Sequence, residues 1–164
     1  MKKSILFALV ALIVSTIPAS AIDVKSVSSN ITGFSCVVPE DAAFMKNDYE
    51  AVILATADQE FLVSAVPFQP SKLTDEENYT ALKTLVDNAN IDLEQALEVN
   101  LTNELMSGGV FMQTMENGAF SCVGIMKVDE GDLAFYVAVI LSPNYTSIGD
   151  TVLKSLDFDP DAVQ

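Results

Sequence analysis

The run Leu133 to Leu141, "LAFYVAVIL", constrains this chain more than any other stretch. Extended as a strand, it turns Leu133, Phe135, Val137, Val139 and Leu141 to one side and Ala134, Tyr136, Ala138 and Ile140 to the other, so neither side is made for water. "AFSCVGIMKV", shortly before it, has the same two-sided character, with Ser121 and Lys127 as the polar exceptions. An antiparallel sheet ordinarily leaves one face solvated; strands apolar on both sides need cover on both. With "VFMQTME" ahead of them, and with turns at Asn117-Gly118 and Asp129-Glu130-Gly131-Asp132, these runs predict a three-stranded C-terminal meander. The Asn-Gly pair predicts a type I′ turn. The expected fold class is α+β: an antiparallel sheet ending in this meander, covered by helices on both faces as an α/β/α sandwich.

The rest of the chain supplies candidates for that cover. "GFSCVV", stopped by Pro39, predicts a strand, and Glu40 to Asp48 has no period and is expected to be irregular. "YEAVILATA" and "FLVSAVPF", separated by Asp58-Gln59-Glu60, predict a hairpin, with Pro67 placing an edge or strand end where a donor is missing. Thr74-Asp75-Glu76-Glu77 has the form of a capping box, and Tyr79, Leu82, Leu85, Val86 and Ala89 follow at helical steps. "NIDLEQALEVNL" fits either period; a short helix near Asp92 to Leu97 followed by extended chain is the expectation. Beyond Pro143, Tyr145, Ile148, Val152, Leu153 and Leu156 mark the apolar face of a closing helix.

The N-terminus decides the compartment. Met1-Lys2-Lys3, the apolar ten residues "ILFALVALIV" and the small residues Ala19-Ser20-Ala21 predict a secretory signal cleaved after Ala21. The apolar run is well short of the roughly 20 residues a spanning helix needs, so no membrane insertion is expected after cleavage. The organisation expected is a signal at 1–21, a flexible segment at 22–32, one α+β domain at 33–160 and an acidic tail at 161–164, in the periplasm or outside the cell.

After cleavage six lysines face 23 acidic side chains, a net charge of about −17. Nucleic acid and anionic membranes are repelled by such a surface. The chain has no Arg and no His, which removes Ser-His-Asp and Cys-His catalysis, imidazole metal sites and the bidentate clamp for phosphate. No cofactor motif is present and no enzyme activity is expected. Composition and fold class point instead to a non-enzymatic exported domain that binds another envelope or secreted protein. The alternatives are a small-ligand or calcium-binding domain and, behind it, a hydrolase working through carboxylates alone.

Two motifs bear on those alternatives. The tetrapeptide "FSCV" occurs twice and carries the only two cysteines, Cys36 and Cys122. Each follows a Phe by two residues on a predicted strand and is expected to be buried. A bridge between them would close a long loop and stabilise by roughly 2–4 kcal/mol; the alternative is two buried thiols acting as small apolar residues. Asp157 to Asp161 has the alternating acids of a calcium loop but lacks the glycine at the sixth position and the glutamate at the twelfth.

The order of strands, a helix, a short second helix, a three-stranded meander and a closing helix resembles the PsbP-like fold of small exported accessory proteins, and "VLKSLDFDP" (152–160) looks like the helix that ends such domains. The resemblance implies an accessory or partner-binding role. It brings no catalytic residue with it.

Overall fold

The computed structural model describes residues 21–164; the expected signal segment, apart from Ala21, lies outside them. In chain order the elements are strands Val24–Ser28 (β1), Phe34–Pro39 (β2), Ala43–Asn47 (β3), Val52–Ala55 (β4) and Phe61–Phe68 (β5), then helix Asp75–Asn88 (α1). Strands Leu97–Thr102 (β6), Met106–Thr114 (β7), Phe120–Val128 (β8) and Ala134–Leu141 (β9) follow, then helix Gly149–Ser155 (α2) and the short strand Asp157–Phe158 (β10). Seven strands form one antiparallel sheet in the order β3-β4-β5-β9-β8-β7-β6, and β1-β2-β10 form a second. The class is α+β. Among the described residues no helix is long and apolar enough to cross a membrane.

The meander β7-β8-β9 is present, and the two-sided apolarity of β8 and β9 follows from their place at the middle of the large sheet. One face is crossed by α1, which connects β5 to the far edge at β6; Val86, Ala89 and Ile91 pack there on Val123 and Ala138. The opposite face presents Phe135, Val137, Val139 and Leu141 to Phe34, Cys36 and Val38 of β2 and to Val152, Leu153 and Leu156 around α2. Cover therefore comes from a helix on one side and chiefly from a second sheet on the other, where helices were expected on both. The reason is the pairing of β1 and β10 to β2. β1 is a polar five-residue strand inside the segment 22–32 expected to be flexible, and β10 is two residues long, so neither shows a strand period.

Other differences are local. Ala43–Asn47, expected to be irregular, is the edge strand β3; a bulge between Phe44 and Lys46 breaks its alternation and leaves Met45 63% exposed. The helix expected near Asp92 to Leu97 is a single turn, in which Gln95 and Ala96 amides donate to the Asp92 carbonyl. A helix that short gains too little to nucleate, and from Leu97 onward the chain pairs with β7 instead. At the β7–β8 turn Gly118 has φ +85, but Asn117 does not share a positive φ. The Gly118 amide donates to the Met115 carbonyl and the Met115 amide to the Ala119 carbonyl. That is a type I turn closed by a glycine bulge rather than type I′.

The start signal of α1 holds. The Glu77 amide donates to Thr74 Oγ1 at 3.2 Å and the Thr74 amide to Glu77 Oε2 at 2.8 Å, completing the capping box. Pro67 sits in β5 beyond the point where β4 stops pairing, so its missing donor faces no partner strand on that side.

Candidate functional site: an apolar groove at the loop end of the sheets

The ends of several strands meet in a groove of about 510 Å³. Ile31 and Thr32 come from the β1–β2 turn, Tyr49 from the β3–β4 turn, Pro67, Phe68 and Gln69 from the end of β5, Leu133 from the head of β9, and Phe158 and Val163 from the C-terminal segment. The lining is mostly apolar, and Tyr49 is 81% exposed.

The loops that carry these side chains are held by hydrogen bonds. Ser29 is fully buried; its Oγ donates to Asn47 Oδ1 at 2.6 Å and accepts from the amides of Ile31 and Thr32. One hydroxyl thus joins the β1–β2 turn to β3. Asp48 Oδ1 accepts from the amides of Glu50 and Ala51, setting the turn under Tyr49. The Ala51 amide is the main reason the Asp48 carboxyl lies below its ordinary range. Across the groove, the Ser71 hydroxyl donates to Asp132 Oδ2 and the Ser71 amide to Asp132 Oδ1, which likewise lowers that carboxyl. Phe68 stacks on Tyr136 with ring centroids 4.1 Å apart, and the Tyr136 hydroxyl donates to Asn78 Oδ1 of α1. The C-terminal wall is fixed by the Asp159 amide on the Gly33 carbonyl and the Gln164 amide on the Asn30 carbonyl. A groove built this way is formed before any ligand arrives, which lowers the ordering cost of binding.

The residues singled out in the sequence lie elsewhere. Cys36 on β2 and Cys122 on β8 both face the core between the sheets, and they stand as two free thiols. Burial pushes each thiol up to about 12, so both stay protonated near neutral pH, away from the thiolate form that attacks. The carboxylates of the "DFDPD" stretch are taken up by backbone amides: Asp157 Oδ1 accepts from those of Phe158 and of Leu105 in the β6–β7 turn, and Asp159 Oδ1 from that of Asp161. Among the described residues no three or more Cys, Asp or Glu side chains are grouped to hold a metal ion.

An acidic depression at the opposite end of β5 is lined by Asp23, Glu40, Asp41, Asp58 and Glu60 beside Tyr145. Asp58 accepts from the Thr56 hydroxyl and the Glu60 amide, while Glu60 accepts from Ser142 and Asn144. The Thr56 hydroxyl lowers the Asp58 carboxyl. Asp48, Glu77 and Asp132 move the same way, opposite to the direction a carboxyl needs to serve as a general acid.

Sequence reasoning did not find the groove. Its lining residues are spread from Ile31 to Val163, and the one local signal was the strand end at Pro67. Tyr49 was read as the head of the strand run "YEAVILATA", whereas it stands in the turn between β3 and β4.

No protein-family model matches the chain, and no curated protein matches it. A solved structure from Bacteroides thetaiotaomicron VPI-5482 is similar at 13% sequence identity and a TM-score of 0.43, covering 84% of this chain and 49% of its own. The chain thus spans about half the length of that protein.

Proposed function

We propose that this chain is an exported accessory domain, without catalytic activity of its own, that binds another envelope or secreted protein through the groove at the loop end of its sheets. The observation that carries the reading is the company kept by Tyr49: a tyrosine 81% exposed lines one groove with Phe68, Leu133, Phe158 and Val163, on loops that are already hydrogen-bonded in place. Loops on a rigid scaffold are where binding residues concentrate, and grouped apolar side chains at a surface mark interaction sites. As a fold, we take the domain to be PsbP-like, with α1 and α2 on opposite faces of the large sheet and α2 sharing its side with the β1-β2-β10 sheet. The resemblance implies the same accessory role.

The test is co-purification from the cells that make the protein, comparing wild type with a Tyr49→Ser/Val163→Ser variant. The reading expects one stoichiometric partner that the variant loses. A partner retained by the variant, or none with wild type, overturns it. A second reading, a small apolar ligand in the same groove, is supported by a volume within the range of small-molecule sites. Native mass spectrometry of the purified protein separates the two, since a retained small molecule adds its mass without any second chain.

A further inference from the structure

The floor of the groove is apolar, but the loops that carry it are acidic. Asp48 and Glu50 flank Tyr49, Asp132 precedes Leu133, Asp159 follows Phe158, and Asp161 stands two residues before Val163. Against those five carboxylates the same surroundings supply Lys46, 3.5 Å from Asp48 and 2.8 Å from Glu50, and Lys72, whose charge acts on Asp132. The groove lining itself holds no charged side chain, so these acids, on a chain whose net charge is −15, stand close in sequence to its lining residues and outnumber the two lysines.

We propose that the groove binds an extended segment of a partner protein in which aliphatic or aromatic anchors are flanked by lysine or arginine. This rests on reading the groove as a docking site and adds the chemistry of what docks. Removal of the anchors from water supplies affinity, and the carboxylates, exposed at Glu50, Asp132 and Asp161 and half-buried at Asp48 and Asp159, supply steering and discrimination that salt screens. A second copy of this chain is a poor occupant, because it would bring its own excess of carboxylates to the same rim. An anionic membrane surface is repelled for the same reason. A small molecule would leave Tyr49 largely bare, since ligand sites that hold one bury most of its surface in an enclosed cleft. A peptide chain laid along the groove covers Tyr49 and reaches the charged rim.

The experiment uses three synthetic twelve-residue peptides with identical Leu and Phe anchors and with Lys, Gln or Glu at the positions between them. Each is titrated into the protein while the methyl resonances of Ile31, Leu133 and Val163 are followed by NMR and affinity is measured at low and high salt. The Lys peptide is expected to bind about tenfold or more tighter than the Gln peptide, to lose several-fold in affinity at high salt, and to shift the groove methyls; the Glu peptide is expected not to bind. Leu133→Gln should abolish those shifts, and if that variant does not fold, Tyr49→Ser makes the same test at an exposed position. Equal binding of the Lys and Gln peptides in the groove overturns the charge inference while leaving the docking site in place. Shifts spread over the whole acidic surface and unchanged by the variant overturn the proposal as diffuse attraction. If none of the peptides moves the groove methyls, the docking reading fails with it.

Discussion

Gly33 lies under the ring of Phe158: a Cβ built on Gly33 would stand 2.4 Å from Phe158 Cε2, and the backbone there has φ +75. Phe158 pairs with Phe34 where β10 joins β2, and it also lines the groove. One glycine therefore sets both the closure of the second sheet and the shape of the candidate site. Gly33→Ala is expected to destabilise the fold by about 1–3 kcal/mol through left-handed strain and the displaced ring. Urea denaturation measures this, and Gly33→Ala/Phe158→Ala should show a strongly non-additive loss because the clash is gone. Additive losses would mean that the contact does not matter.

The capping box predicts a second effect. Thr74→Ala should cost about 1 kcal/mol, as the first turn of α1 loses its acceptor. Backbone and hydroxyl donation from Thr74 holds the Glu77 carboxyl below its ordinary range. A lowered folded-state value means that its contribution is complete above the unfolded carboxylate value, about 4.3, and is lost as pH falls further. The gap in stability between wild type and Glu77→Gln should accordingly narrow below about pH 4. A gap that widens there would contradict the capping geometry.

Much of the fold was legible because its signals are local. Two-sided apolarity placed β8 and β9 at the centre of a covered sheet, Thr74 and Glu77 marked the start of α1, and Pro67 marked where β5 loses a neighbour. The second sheet was hidden because β1 and β10 take their order from β2 rather than from any apolar period of their own. The groove was hidden for a related reason. Ser29, Asn47, Asp48 and Asp132 read as ordinary polar loop residues until the fold brings their partners to them.

The thiols allow a third test. Cys36 and Cys122 should be silent to a thiol reagent in the native protein, and two thiols should titrate after denaturation without reductant. Both thiols are raised to about 12 by burial. A thiol raised above its unfolded value stays protonated in the folded state, so stability is unaffected below about pH 8.5 and falls as pH rises above it. Thermal melts between pH 8 and 11 read this slope, and Cys36→Ala should flatten it. Absence of titratable thiols in the denatured, unreduced protein would show a bridge instead.

A fourth prediction concerns divalent cations. The Asp157 and Asp159 carboxylates are engaged by backbone amides, so calcium should raise the melting temperature no more than magnesium does, through screening of the acidic surface. A saturable, calcium-specific rise that disappears in Asp159→Asn would show a binding loop.

The central claim is that the Tyr49 groove is where another protein docks, and site-specific photocrosslinking tests it most directly. A photoreactive amino acid replaces Tyr49 in one strain and Lys83, on the exposed side of α1, in another, and both are irradiated in intact cells. The account predicts one dominant adduct from position 49 and none from position 83. No adduct from position 49, or the same adducts from both positions, would contradict it.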